Sequence, residues 1–196
     1  EILRCLVGSE MCIRDRSTDN MASAKLLIEN FKHVKWHTVA DFWNELTLKL
    51  QSIGYEMTEG VNLNEIAFVT HNEQYKQGYK NKEFGIYFMP KTGLHMYVWY
   101  EYGYSLYYGI CSDEKLSVEY KNRIKQLLTL DNLLIAGDDE YAVYKEFDLP
   151  EEEQIWFSDF SYIGTFNLIN DEYRHRIIDK LVANIQMFVE RLDEMS

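Results

Sequence analysis

Apolar residues at Phe42, Trp43, Leu46, Leu50 and Ile53 recur at helical spacing and stop at Gly54, which predicts an amphipathic helix. Thr38 followed by Asp41 reads as a capping box at its start. Residues 22–31 are also compatible with a helix, whereas 32–37 read as a connection or a second cap. A short strand is expected over 65–70. After a polar stretch the period changes from helical to alternating, in three segments separated by turn residues that include Gly93 and Gly103. One face of this meander carries Phe84, Ile86, Phe88, Leu94, Met96, Val98, Leu106, Tyr108 and Ile110 and needs a cover. The other carries Tyr87, His95, Tyr97, Trp99, Ser105, Tyr107 and Cys111, flat rings with polar tips. Such asymmetry is expected of an antiparallel sheet packed against helices on one side and partly wet on the other.

A second helix is expected over 116–128, with Leu116, Tyr120, Ile124, Leu127 and Leu128 on one stripe, then strands over 141–147 and 154–160. The last helix has the longest stripe: Ile177, Ile178, Leu181, Ile185, Phe188, Val189 and Leu192, with Asp171 and Glu172 favouring its start electrostatically. The fold class that follows is α+β: an antiparallel sheet, a three-strand meander plus further strands, with amphipathic helices packed on one face.

Residues 1–16 do not belong to this pattern. Their apolar runs, Ile2-Leu3 and Cys5-Leu6-Val7, are broken by Arg4 and ended by Gly8, too short for a signal-peptide core. The string from Leu6 to Asp15 resembles CTC GTG GGC TCG GAG ATG TGT ATA AGA GAC, a transposase library adapter read in one frame. Excluding it removes Cys5 and Cys12 and leaves Cys111, one thiol that can form neither an internal disulfide nor a cysteine zinc site. That points to an intracellular, cytoplasmic setting. The formal charge of -12 is untouched, since Glu1, Glu10 and Asp15 balance Arg4, Arg14 and Arg16. An adapter at a fragment end predicts a gene broken upstream, with Met21 as the alternative start. The expected organisation is an artefact over 1–16, a linker or partial helix over 17–37, and a single domain over 38–196.

Only Pro90 and Pro150 occur, and no low-complexity linker divides the chain. No apolar run approaches the roughly 18 residues that span a bilayer, so no membrane partner is expected. The acidic balance disfavours nucleic-acid binding over a broad surface.

Several residues invite chemistry and have a plainer reading. His33 and His37, four apart, have the spacing of a helical metal pair, but no Glu follows His33 as in HExxH, and exposed histidines explain them. Asp138, Asp139, Glu140, Glu151, Glu152 and Glu153 fit no calcium-loop spacing and read as a solvated acidic loop. Glu119-Tyr120-Lys121 matches the Glu-x-Lys half of a metal-dependent nuclease motif, yet falls in a predicted helix where that motif needs a strand. No GxSxG, P-loop or dinucleotide fingerprint is present, and Cys111 has no evident base. No catalytic and no metal-binding residue is assigned. The candidate binding face is Tyr87, His95, Tyr97, Trp99 and Tyr107, because Tyr and Trp stack bases and anchor protein partners. They are also simply good residues for half-exposed strands.

The Phe42-Trp43 helix ending at Gly54-Tyr55, the Phe84-Gly85-Ile86-Tyr87 strand, the Leu106-Tyr107-Tyr108-Gly109 strand and the Asp171-Glu172-Tyr173-Arg174 helix together form a pattern. Over residues 38–192 it resembles the carboxy-terminal region of a family of bacterial PD-(D/E)XK nuclease superfamily proteins. The catalytic Asp, acid and Lys of that family lie in an amino-terminal nuclease domain, so no catalytic residue carries over. The resemblance implies an accessory or recognition domain of a truncated nuclease-like protein. Mg or Mn is implied only for that parent, not for this chain. The expected partners are the missing amino-terminal nuclease domain, DNA or a protein, met through the aromatic sheet face. The alternative is a complete small protein-interaction domain starting at Met21.

Overall fold

One helix, α1 (Thr18–Ser52), runs through both the expected connection over 32–37 and the expected capping box, and corrects both. Residues 32–37 contain no Gly or Pro, so nothing in their backbone preference stops a helix. The Thr38 hydroxyl does not accept a hydrogen bond from the first turn of a new helix. It donates to the Val34 carbonyl one turn back, at 2.8 Å, an arrangement that a helix interior tolerates. The 35 residues of α1 span about 52 Å. The helix ends where expected. Gly54 adopts φ 89°, and the Gly54 and Tyr55 N–H groups donate to the carbonyls of Gln51 (2.9 Å) and Leu50 (3.1 Å), the reciprocal pair of a Schellman cap.

The computed structural model describes residues 18–61, 83–90, 94–101, 105–111 and 141–194. The expected strand over 65–70 and helix over 116–128 lie outside them, as do Glu119-Tyr120-Lys121 and residues 138–140. Among the described residues the sheet has five strands, β1 (Glu56–Glu59), β2 (Glu83–Met89), β3 (Met96–Glu101), β4 (Leu106–Cys111) and β5 (Tyr141–Glu146), each antiparallel to the next in chain order. The three central strands are the expected meander, and every apolar residue assigned to its core face is buried. Strand β1 was not foreseen. Its four residues, Glu-Met-Thr-Glu, carry one apolar side chain, and a bulge between Met57 and Glu59 breaks its alternation.

Residues 154–160, expected as a strand, instead form turns. Their burial alternates as far as Phe157, with Ile155 and Phe157 buried between half-buried neighbours and Phe160 buried out of phase, but no neighbouring strand among the described residues produces it. Side chains take the place of a sheet partner. The Trp156 N–H donates to Thr165 Oγ1 (2.7 Å). Tyr100, wholly buried in β3, donates its hydroxyl hydrogen to Ser158 Oγ (2.8 Å) and accepts from the Ser158 N–H (3.0 Å). Phe157 is thereby held among Phe42, Tyr100 and Phe84, with ring centroids 5.2, 5.1 and 6.3 Å away.

After a short helix α2 (Ile163–Asn167), the last helix α3 (Asp171–Glu194) forms as expected. The Asp171 and Glu172 charges lie in its first turn, but the cap itself is Asn170, whose Oδ1 accepts the Tyr173 N–H at 2.9 Å. The α3 stripe is buried along its length, with Phe188 against Tyr108 of β4 (5.5 Å), so α3 and α1 share the same face of the sheet. Arg174, also buried, ties the two helices. Its Nε and Nη2 donate to Glu45 Oε1 of α1 (3.0 and 2.7 Å), Nη2 also to Asp171 (2.8 Å), and Nη1 to the Leu168 carbonyl (2.9 Å).

A second buried charge corrects the solvated acidic loop. Glu151 and Glu152 are exposed, but Glu153 closes a 3₁₀ turn, is buried, and accepts from Arg176 Nη1 (2.6 Å) and from Lys180 Nζ, both on α3. The Lys180 hydrogen bond holds the Glu153 carboxyl below the usual carboxylate range; burial opposes this and Arg176 reinforces it. A carboxyl depressed in the folded state contributes stability above its unfolded pKa of about 4.3, and loses it as pH falls through the lower folded value. Glu153→Gln is therefore expected to be less stable than the parent at about pH 6, with the gap narrowing as the pH falls below that unfolded value. Urea midpoints across that range measure it, and a gap independent of pH would mean that the pairing is not charge-linked.

Candidate recognition face

On the sheet face away from α1 and α3, strand register assembles the aromatic residues. Tyr87 stands opposite Tyr97, Trp99 opposite Tyr107, Gly85 opposite Trp99, and Gly109 opposite both Tyr97 and Tyr144. The rings form a continuous chain. Tyr87 meets Trp99 edge-on at 5.4 Å, Trp99 meets Tyr97 at 5.5 Å, Tyr97 meets Tyr107 at 6.0 Å, and Tyr107 meets Tyr144 at 5.5 Å. Such edge-to-face and tilted ring contacts contribute about 0.5–1.5 kcal/mol each beyond area burial. Gly85 makes room for the Trp99 ring. A Cβ on Gly85 would collide with the Val98 carbonyl oxygen and the Trp99 indole, and would come within 2.8 Å of the Trp99 Cα.

The five candidate residues divide. Tyr87, Trp99 and Tyr107 are half-buried and lie in the ring chain. Tyr97 is only 1% exposed, held between Tyr87, Trp99 and Tyr107, so it supports the face and offers no surface for stacking. His95 is exposed just before β3; its carbonyl accepts the Cys111 N–H at 2.9 Å. Tyr144 belongs to the face as well, although the expected strand over 141–147 was not assigned an inward and an outward side.

The rim is acidic. Glu59 pairs with Tyr87 and Glu146 with Tyr107, both exposed, and Glu101 lies two residues beyond Trp99 on the same side. Burial raises the Glu101 carboxyl above the usual carboxylate range. Lys145, the nearest basic residue of β5, has the opposite parity, pairing with core-facing Tyr108. Among the described residues the face is thus an aromatic strip edged by carboxylates, a surface that attracts apolar and cationic groups.

Other candidate chemistry does not gather. His33 and His37 are exposed on α1, Cys111 is half-buried, and among the described residues no three His, Cys, Asp or Glu side chains lie together as metal ligands. A groove of 440 Å³ between α1 and α3 is lined by Lys49, which pairs with Asp179 (2.6 Å), and by His175, whose Nε2 lies 3.3 Å from Glu45 Oε2. No helix among the described residues is long and apolar enough to cross a membrane. No family model, curated protein or solved structure matches this chain, so a functional reading rests on these residues themselves.

Proposed function

We propose that this chain is a non-catalytic recognition domain, the accessory carboxy-terminal part of a PD-(D/E)XK nuclease-like protein, and that the aromatic sheet face receives its partner. The link to the nuclease superfamily rests on the resemblance of residues 38–192. The recognition role rests on one observation: three half-buried rings, Tyr87, Trp99 and Tyr107, with Tyr144 beside them, packed into a strip on the face opposite the helices. Large rings that lose little conformational freedom are the side chains on which interface energy concentrates. The carboxylates at the rim favour a basic protein segment, supplied by the parent's own nuclease domain or by a separate protein, over DNA.

Fluorescence anisotropy with labelled Arg- and Lys-containing peptides, and with single- and double-stranded oligonucleotides, tests this. Peptide binding is expected, weakened roughly tenfold or more by Trp99→Ala or Tyr107→Ala, with no oligonucleotide binding at low salt. Salt-sensitive oligonucleotide binding lost in the same variants would assign the face to nucleic acid instead. Mg- or Mn-dependent DNA cleavage by the chain alone would sink the non-catalytic reading.

A further inference from the structure

The first half of α1 leaves the body of the fold carrying an apolar face. Leu27, Ile28, Phe31 and Val34 recur at i, i+1, i+4 and i+7, and their exposures run from 39% to 55%. Lysines border this face. Lys32 lies one turn beyond Ile28 and Lys35 sits over the Phe31 ring at 4.8 Å, while Lys25, one turn before Ile28, pairs with Glu29 at 3.8 Å. A second exposed apolar patch surrounds α2: Tyr162, Ile163, Phe166 and Ile169, at 39–54%. Its border has the opposite charge. Glu151, Glu152, Asp159 and Glu172 are all exposed, and the 3₁₀ turn bearing the first two packs against α2.

The two patches adjoin. Phe31 of α1 contacts Phe160, just ahead of α2, at 6.2 Å, and Lys35 lies 5.7 Å from the same Phe160 ring. One molecule therefore presents a basic apolar helix face beside an acidic apolar patch. A two-fold axis near the Phe31–Phe160 contact would set each against its complement on a second copy, with both junctions buried at once. Isolated exposed apolar residues need no explanation, but eight in two adjoining patches with opposite charged borders do.

We propose that this surface binds a second copy of the same chain, α1 of each copy lying on the α2 patch of the other. The assignment is independent of the aromatic sheet face. It commits to a self-association that is reciprocal, charge-assisted and weakened by salt.

Sedimentation equilibrium of the full chain under reducing conditions, up to about 0.2 mM, provides the test. A dimer is expected, with at least a tenfold loss of affinity in Ile28→Asp and, separately, in Ile163→Asp. Both side chains are more than half exposed, so circular dichroism should show each variant still folded. Lys32→Glu should also weaken the dimer, and combining it with Glu152→Lys should restore it. A monomer throughout the concentration range would overturn the proposal, as would a dimer indifferent to Ile163→Asp, which would mean that α1 pairs with α1. Failure of the charge swap to restore affinity would overturn the charge-assisted pairing.

Discussion

Leu181→Asp is expected to leave the chain largely unfolded at 25 °C. Leu181 lies midway along α3 with no exposed surface, between Ile177 and Ile185, which are equally buried. Removing its isobutyl group forfeits about 2–5 kcal/mol through lost transfer energy and the cavity left behind. The aspartate then has either to ionise without a buried partner or to be protonated, a further cost of several kcal/mol. Three basic groups of α3 are already engaged, Arg174 with Glu45 and Asp171, and Arg176 and Lys180 with Glu153. Against a typical total stability of about 5–15 kcal/mol, that sum removes most or all of the fold. Ala183→Asp, two residues away on the exposed side of the same helix, is expected to change stability by no more than about 0.5 kcal/mol. Thermal melts followed by circular dichroism compare the two. If Leu181→Asp melted like the parent, α3 would not be the cover of the sheet.

The α3 stripe and the meander were legible because each carries one unbroken period, and the side chains that obey it are large enough to decide burial. The end of α1 was legible because Gly54 can adopt the positive φ that a Schellman cap needs. Its beginning was not. Thr38 and Asp41 have the spacing of a capping box, and sequence cannot distinguish a hydroxyl that caps a new turn from one that bonds back to Val34. Residues 154–160 were misread for a related reason: alternating burial is what a strand produces, and here Tyr100 and Thr165 produce it by gripping a turn. The candidate face was legible as a set of outward rings. Its internal division was not, since Tyr97 is buried only because strand register places it among Tyr87, Trp99 and Tyr107. The acidic rim was likewise hidden, because Glu59, Glu101 and Glu146 come from three different strands.

Gly85→Val is expected to cost about 3 kcal/mol or more and to displace Trp99 from the recognition face. Gly85 pairs with Trp99 across β2 and β3, and the space above its Cα is filled by the Trp99 indole and closed by the Val98 carbonyl. No rotamer of a new side chain relieves this, because the collision begins at Cβ and one of the atoms struck is backbone. Strands β2 and β3 would have to separate locally, weakening their ladder, or the indole would have to swing out and abandon its contacts with Tyr87 and Tyr97. Either movement breaks the ring chain, so near-UV circular dichroism should change together with the melting temperature. Gly60→Ala is the control, since a Cβ there meets nothing within 4 Å and the change should be close to neutral. A Gly85→Val variant with the parent's melting temperature and aromatic spectrum would mean that Gly85 does not face Trp99. The register that builds the recognition face would then be wrong, and with it the claim that Trp99 and Tyr107 present themselves side by side to a partner.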